Sequence, residues 1–411
     1  MTPNDFPYIK AIHVNDCFAY KNFDIALPNL NGKPFSHLIL TGKNGSGKTT
    51  ILRGLEQHIG LGLINGNDSD GYIDEQRLDF LINNFTISNR IDELKQAQNK
   101  LIVSKSVKIA FDKNVNLIDF KGKSIFSFFV ANRKANPNEV VTPTKGIDFS
   151  EQLILKDSTT FFTRQFKQYL VNKKVDQAFE QLNNNREGVL KIGEFFSNFT
   201  KILRRFADDN SLQLVFENKQ FEFYVTLKDG RKITFNQMSE GFSAFISILV
   251  DLLIRVDLIR SAVNDNTYDP CGIVLLDEPE THLHIKAQYE VLPILTEFFP
   301  NVQFIVATHS PAVISSIKNT TIFDLTSQNT VTDEVVGSSY SELMVTHFGL
   351  DNEFSPIADK IMDDIKGVTK EFKNNKPVLK EKLSAILLEN ERYLSPVLEL
   401  ELNSLIMETS H

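Results

Sequence analysis

Tryptophan is missing from the 411 residues, and cysteine occurs only twice, as Cys17 and Cys271. The two cysteines are far apart and form no Cys-x-x-Cys pair, which fits a reducing compartment and gives no support for a zinc site. No run reaches the roughly 18 apolar residues that a bilayer span requires. The start, Met1-Thr2-Pro3-Asn4-Asp5, has no basic stretch followed by an apolar one, so no signal peptide is read there. A cytoplasmic location without a membrane partner is therefore expected. Internal repeats and long low-complexity tracts are absent. Positive charge is in deficit: 44 Lys and Arg stand against 52 Asp and Glu, a formal net charge of −8. That balance argues against a surface made wholly for nucleic acid and leaves a local basic groove open.

The remaining composition is that of a globular protein long enough to bury one large core or two. Residues 8–27 alternate as strands do, and Leu38-Ile39-Leu40 is a short apolar strand. A helix is expected over residues 48–60, and strands over Lys100–Phe111 and Ser124–Val130. Residues 135–150 look like a loop, and 151–209 a long helical region. Leu212–Glu217, Glu222–Leu227 and Lys232–Phe235 read as strands joined by tight turns. An apolar helix follows over about Gly241–Ile259. Ile273–Leu276 and Val302–Ala307 have the unbroken apolar character of parallel strands. From about residue 339 the pattern is amphipathic helix, broken at Lys373–Pro377.

Four motifs carry chemistry. In Gly42-Lys43-Asn44-Gly45-Ser46-Gly47-Lys48-Thr49-Thr50, glycines let successive backbone N–H groups curl around a phosphate at a helix N-terminus. Lys48 can reach terminal phosphates, and the Thr49 hydroxyl suits Mg²⁺. In Gly272–Glu278 a buried strand ends in two carboxylates: Asp277 to hold the metal through water, and Glu278 to polarise an attacking water. In Val302–Ser310 a second strand ends in Thr308-His309-Ser310, which places His309 to sense a γ-phosphate. Met238-Ser239-Glu240-Gly241-Phe242 opens the apolar helix, and Ser239 would also serve as an ordinary N-cap.

In this order the motifs resemble those of the ABC-type ATPases. Met238–Phe242 looks like a variant of that family's signature sequence, with Met for Leu, Glu for the first Gly and Phe for Gln. The resemblance implies that Ser239 and Gly241 of one chain close over ATP held by the phosphate loop of another. The expected assembly is then a homodimer, or a higher even oligomer, with ATP sandwiched between copies. Glu278-Pro279-Glu280-Thr281-His282-Leu283-His284, Thr308-His309-Ser310-Pro311 and the strand ending at Arg133 resemble the branch that holds RecF- and SMC-related ATPases, OLD nucleases and antiphage systems such as Septu, PARIS and Gabija. His282 and His284 are read as loop packing rather than metal ligands. The glutamine that links such engines to their moving parts is unplaced; Gln76, Gln96 and Gln98 are candidates by position.

The expected fold is α/β: an ABC-type head with a mixed sheet, an antiparallel segment, a helical insertion and a helical C-terminal region. Its divisions are 1–134, the first half of the head; 135–210, the insertion; 211–335, the second half; and 336–411, the C-terminal helices. The insertion's Arg164, Lys167, Lys173, Lys174, Lys201, Arg204 and Arg205 read first as a solvated face, and second as a surface for nucleic acid or an acidic partner. After the head there is no pattern for an appended TOPRIM nuclease; Asp363-Asp364 are adjacent in a helical stretch. The resemblance implies an ATPase that is the sensor and regulatory subunit of an antiphage defence complex and controls a separate effector, such as an HNH nuclease or a toxin. The alternative is a RecF- or SMC-like repair ATPase that binds DNA directly.

Overall fold

The computed structural model describes residues 2–15, 22–65, 106–113, 116–133, 137–144, 158–265, 267–332, 356–372, 375–390 and 396–408. Gln76, Gln96, Gln98, Cys17 and the first residues of the strand expected from Lys100 lie outside them. The chain divides into two compact units, residues 1–343 and 344–411.

In the first unit β1 (Ile9–Val14) lies between β2 (Phe23–Ala26) and β4 (Val107–Phe111), all antiparallel. The principal sheet contains β3 (His37–Thr41), β5 (Ile125–Phe129), β9 (Gly272–Asp277), β10 (Val302–Ala307), β11 (Thr320–Asp324) and β12 (Asn329–Thr332). Its spatial order is β12-β11-β3-β10-β9-β5, parallel throughout except for the closing β11–β12 pair. Every residue of β3, β9, β10 and β11 is buried, as strands covered on both faces must be.

The side chain of Gln303 joins the β1 sheet to the principal sheet. Gln303 of β10 is fully buried; its Oε1 accepts from the Ile9 N–H at 2.9 Å, and its Nε2 donates to the carbonyls of Ile9 at 3.0 Å and Ser36 at 2.9 Å. The amide thus satisfies backbone groups that would otherwise be stranded in the core. Around it Phe6, Tyr8 and Phe35 pack ring against ring, with centroid spacings of 4.9 and 4.3 Å.

The strands β6 (Gln213–Glu217), β7 (Glu222–Thr226) and β8 (Lys232–Thr234) form a separate antiparallel meander. The insertion is a helical hairpin of α2 (Ser158–Leu182) and α3 (Arg186–Ala207). Asn185 caps α3 by accepting the Gly188 N–H, and Asp208 ends it in the left-handed conformation. Phe166, Phe199 and Phe235 pack together against the meander, with Phe166 4.9 Å from Phe235 and 5.9 Å from Phe199. Beneath the hairpin runs α4 (Glu240–Val263), longer by a turn than its apolar pattern indicated. The short α6 (Pro311–Ile314) follows β10, and α5 (Ile285–Phe298) connects β9 to β10.

The insertion's cations are a correction to the sequence reading, because most neither face solvent nor stand ready for a partner. Lys167 is buried between Glu139 and Glu222, and Lys173 pairs with Asp257 at 2.6 Å. Lys174 lies 4.0 Å over the Phe196 ring, and Arg204 donates to the Leu212 carbonyl at 2.7 Å. Arg205 bridges Glu290 and Glu297 of α5 at 2.5 and 2.7 Å. Acidic groups from distant segments meet them, and spacing along the helix carries no trace of those neighbours. Arg164, Lys201 and Arg205 are the exposed members of the set, the last within its two ion pairs.

The second unit holds α7 (Pro356–Glu371), α8 (Lys376–Asn390) and α9 (Pro396–Glu408) around Ile361, Ile365, Leu379, Leu383 and Leu402. Asp363 and Asp364 lie within α7. Among the described residues no helix is long and apolar enough to cross a membrane.

Candidate nucleotide site

The phosphate loop fills the gap between β3 and α1 (Lys48–Asn65). Gly42, Gly45 and Gly47 have φ of 129°, 77° and 81°, a region that side chains rarely enter. At Gly42 space matters as well: a Cβ there would lie 3.0 Å from both Ser46 Oγ and Thr326 Oγ1, and 3.1 Å from Asp324 Oδ1. The end of β11 therefore braces the loop, and the Lys43 N–H donates to Thr326 Oγ1 at 2.9 Å. Lys43, Asn44 and Gly45 form the exposed crown, whereas Ser46 is buried and Thr50 half-buried on the first helical turn.

Lys48 is buried with its ammonium folded back on the loop. It donates to the carbonyls of Gly42 at 2.9 Å and Lys43 at 3.2 Å, and to Ser46 Oγ at 3.4 Å. Burial lowers its pKa, and the charges of Glu278 and Asp277 oppose that shift. Two strands away in the sheet, β9 delivers Asp277 to the same spot. The Thr49 hydroxyl donates to Asp277 Oδ2 at 2.9 Å and lies 3.2 Å from Oδ1. Burial raises the Asp277 pKa, partly offset by the Thr49 bond and by Arg133. A hydroxyl and a carboxylate converging at a phosphate loop are the hard oxygen donors that Mg²⁺ prefers, so the residues fit that ion.

Glu278 stands one residue beyond the strand at φ 46°, with its N–H still bonded to the Ala307 carbonyl of β10 at 2.8 Å. The register pairs Asp277 with Ala307, so Glu278 falls opposite Thr308, and His309 follows one residue further. Burial lowers the His309 pKa, the Lys48 charge lowers it further, and Asp277 opposes both. The ring is thus biased toward its neutral form, which can accept or donate. Ser310 caps α6 through the Val313 N–H at 3.3 Å and donates to Gln288 at 2.6 Å, which fixes the turn after His309.

The signature residues are placed differently. Ser239 is the N-cap of α4 and accepts from the Phe242 N–H at 3.4 Å. Gly241 is buried against the loop after β9: a Cβ there would lie 2.3 Å from the His282 carbonyl oxygen. His282 is itself left-handed at φ 62°, with its ring 3.8 Å from the Glu240 carboxylate. Lys48, Thr49, Asp277, Glu278 and His309 converge on the phosphate loop, while Ser239 and Gly241 join the loop that follows Glu278.

Residues outside the candidate set also shape the site. Thr326 and Asp324 brace the loop from 283 positions away, with no local signal to reveal them. Arg133 donates to the carbonyls of Asp277 at 2.8 Å and Glu278 at 3.0 Å. Glu280 accepts from the Thr308 hydroxyl at 2.6 Å and the His309 N–H at 2.9 Å. The residues of the Glu278–His284 motif showed where Glu280 stands in the chain, not what it holds.

The family described as "AAA domain, putative AbiEii toxin, Type IV TA system" matches residues 38–315, from β3 to just past α6. The chain is similar to the "Retron Vc95 probable ATPase" of Vibrio cholerae serotype O1 biovar El Tor, with 27% identity over 52% of this chain and 39% of that protein. It is similar to the "Septu protein PtuA" of Bacillus mycoides strain KBAB4, with 25% identity over 74% of this chain and 38% of that protein. It thus spans about two fifths of the length of these curated relatives. Among solved structures, an Smc head bound to the C-winged helix domain of ScpA aligns with a TM-score of 0.38 and 15% identity, over 77% of this chain and 94% of that one.

Proposed function

Because the chain belongs to this AAA-domain family, we propose that it binds ATP with Mg²⁺ and hydrolyses it between two copies of itself. The observation that carries the reading is the Thr49–Asp277 contact of 2.9 Å beside a phosphate loop whose lysine is buried. In this reading the loop's N–H groups and the dipole of α1 bind phosphate, and Lys48 leaves its carbonyl partners to meet the terminal phosphates. Thr49 and Asp277 hold the metal, which when bound neutralises charge on the transferring phosphoryl group. Glu278 accepts a proton from, or orients, the attacking water. His309 faces the γ-phosphate, and Ser239 and Gly241 of a second copy complete the enclosure.

The retron and Septu names of the relatives support a role in antiphage defence, with this chain as the ATPase that governs a separate effector, a nuclease or toxin. Direct DNA binding through the insertion loses its support, since Lys167, Lys173, Lys174, Arg204 and Arg205 are engaged within the chain.

Turnover assays test the engine. Glu278→Gln should lower the ATP hydrolysis rate by about a hundredfold or more while retaining ATP, and Lys48→Ala should lose ATP binding. With ATP and Mg²⁺, light scattering of Glu278→Gln should show a doubled mass. Turnover by Glu278→Gln at the wild-type rate would remove Glu278 from its role toward the attacking water, and a mass unchanged by ATP would remove the sandwich. Tagged Glu278→Gln captured from its native cell should bring an effector chain in fixed ratio; DNA with repair proteins in its place would reverse the defence assignment.

A further inference from the structure

Behind the groups assigned to the chemistry lie two half-buried side chains of opposite charge, and each grips a different strand end. Arg133 leaves the end of β5 and donates through Nη1 to the carbonyls of Val130 and Asp277, both at 2.8 Å, and through Nη2 to the Glu278 carbonyl at 3.0 Å. Its fork thus spans the last residue of β9 and the one after it, a planar fit that lysine cannot reproduce. The Glu278 carbonyl also accepts from the Thr281 N–H at 3.1 Å and hydroxyl at 2.8 Å, so three donors hold the backbone at φ 46°.

Two residues on, Glu280 turns back toward β10. Its Oε1 accepts from the Thr308 hydroxyl and the His309 N–H. One side chain therefore fixes the peptide of Glu278 and the other the peptide of His309. Burial lowers the Arg133 pKa, and the Glu280 charge opposes that shift. Among the described residues, Arg133 Nε and Glu280 Oε2 have no hydrogen-bond partner. Bonds to the strand ends rather than to each other take precedence in both, the pattern of a device that sets the position of something else.

We infer that Arg133 and Glu280 are positioning residues for hydrolysis, which together set the distance between the Glu278 carboxylate and the His309 imidazole. The inference rests on the ATPase reading above. It differs from a purely structural role in what it leaves untouched: ATP binding depends on the phosphate loop, which neither side chain contacts through the bonds described. Displacement of a reacting group by about an ångström costs up to about a hundredfold in rate.

The test is steady-state turnover together with hydrogen exchange on the full chain, for wild type, Arg133→Lys, Glu280→Ala and Glu280→Gln. Arg133→Lys and Glu280→Ala should lower kcat by about ten- to a hundredfold while KM for ATP stays within about threefold. Exchange should rise in the peptide containing His309 for Glu280→Ala and not for Glu280→Gln. The amide oxygen of Glu280→Gln can still accept from Thr308 and His309, so that variant should keep kcat within about threefold of wild type; it also shows that the site tolerates the change. Wild-type kcat in Arg133→Lys and Glu280→Ala would overturn the inference alone. So would a joint loss of ATP binding and global protection in all three variants, which marks a folding role. A wild-type chain with no turnover would remove the ATPase reading, and the positioning role with it.

Discussion

His37 opens β3 and is buried, with Nδ1 accepting the Phe304 N–H at 3.1 Å. Burial, helped by the charge of Lys33, holds its pKa down at about 4 against an ordinary 6.5. Above pH 6.5 the ring is neutral in folded and unfolded chains alike. Below it the unfolded chain takes up a proton that the folded chain refuses, so stability falls as pH drops from 6.5 toward 4. The full loss is about 3 kcal/mol. Urea unfolding at pH 7 and pH 5 should show a falling midpoint in wild type. His37→Gln should start lower and fall less; equal falls would assign the acid sensitivity to other groups. A histidine before an apolar strand is visible in the sequence, but the burial that keeps it neutral is not: the Phe304 N–H that meets its ring lies 267 residues away.

At the scale of the element, α4 shows how far the sequence could be followed. Its apolar run and its N-cap Ser239 are local features from which the helix was legible; its stop at Asn264, left-handed at φ 54° and a turn beyond the apolar run, was not. Its fixing in rotation was not. Fully buried Asp251 accepts from Arg255 Nε at 2.7 Å one turn on, and from Ser127 of β5 at 2.9 Å. The Arg255 guanidinium lies 5.0 Å from the centre of the Phe162 ring of α2. An ion pair thus ties the sheet edge, the signature helix and the insertion into one body. Asp251→Ala, which strands the guanidinium in the core, should cost about 3–5 kcal/mol by chemical denaturation. Asp251→Leu combined with Arg255→Met should cost far less, because it removes both charges together. A double variant as unstable as the single one would show that shape, not charge, is the constraint.

For the whole molecule, the phosphate loop and the carboxylate-ending strand were legible because their chemistry is written within a few consecutive residues. The strand order was not, since β3 lies between β10 and β11 and both come more than 250 residues later. Thr326→Val removes the acceptor for the Lys43 N–H at that long-range junction. It should weaken ATP binding about fivefold, the worth of one hydrogen bond of about 1 kcal/mol, with no change in the rate at saturating ATP. Unaltered affinity in a titration would show that the loop keeps its shape without the brace. The same junction has a consequence for biosynthesis. Lys43 leaves the ribosome 283 residues ahead of Thr326, which at about 5–20 residues per second is about 15–55 s. For most of that interval β3 is an apolar strand without either of its neighbours, so the phosphate loop cannot take its braced shape until β10 and β11 have been made.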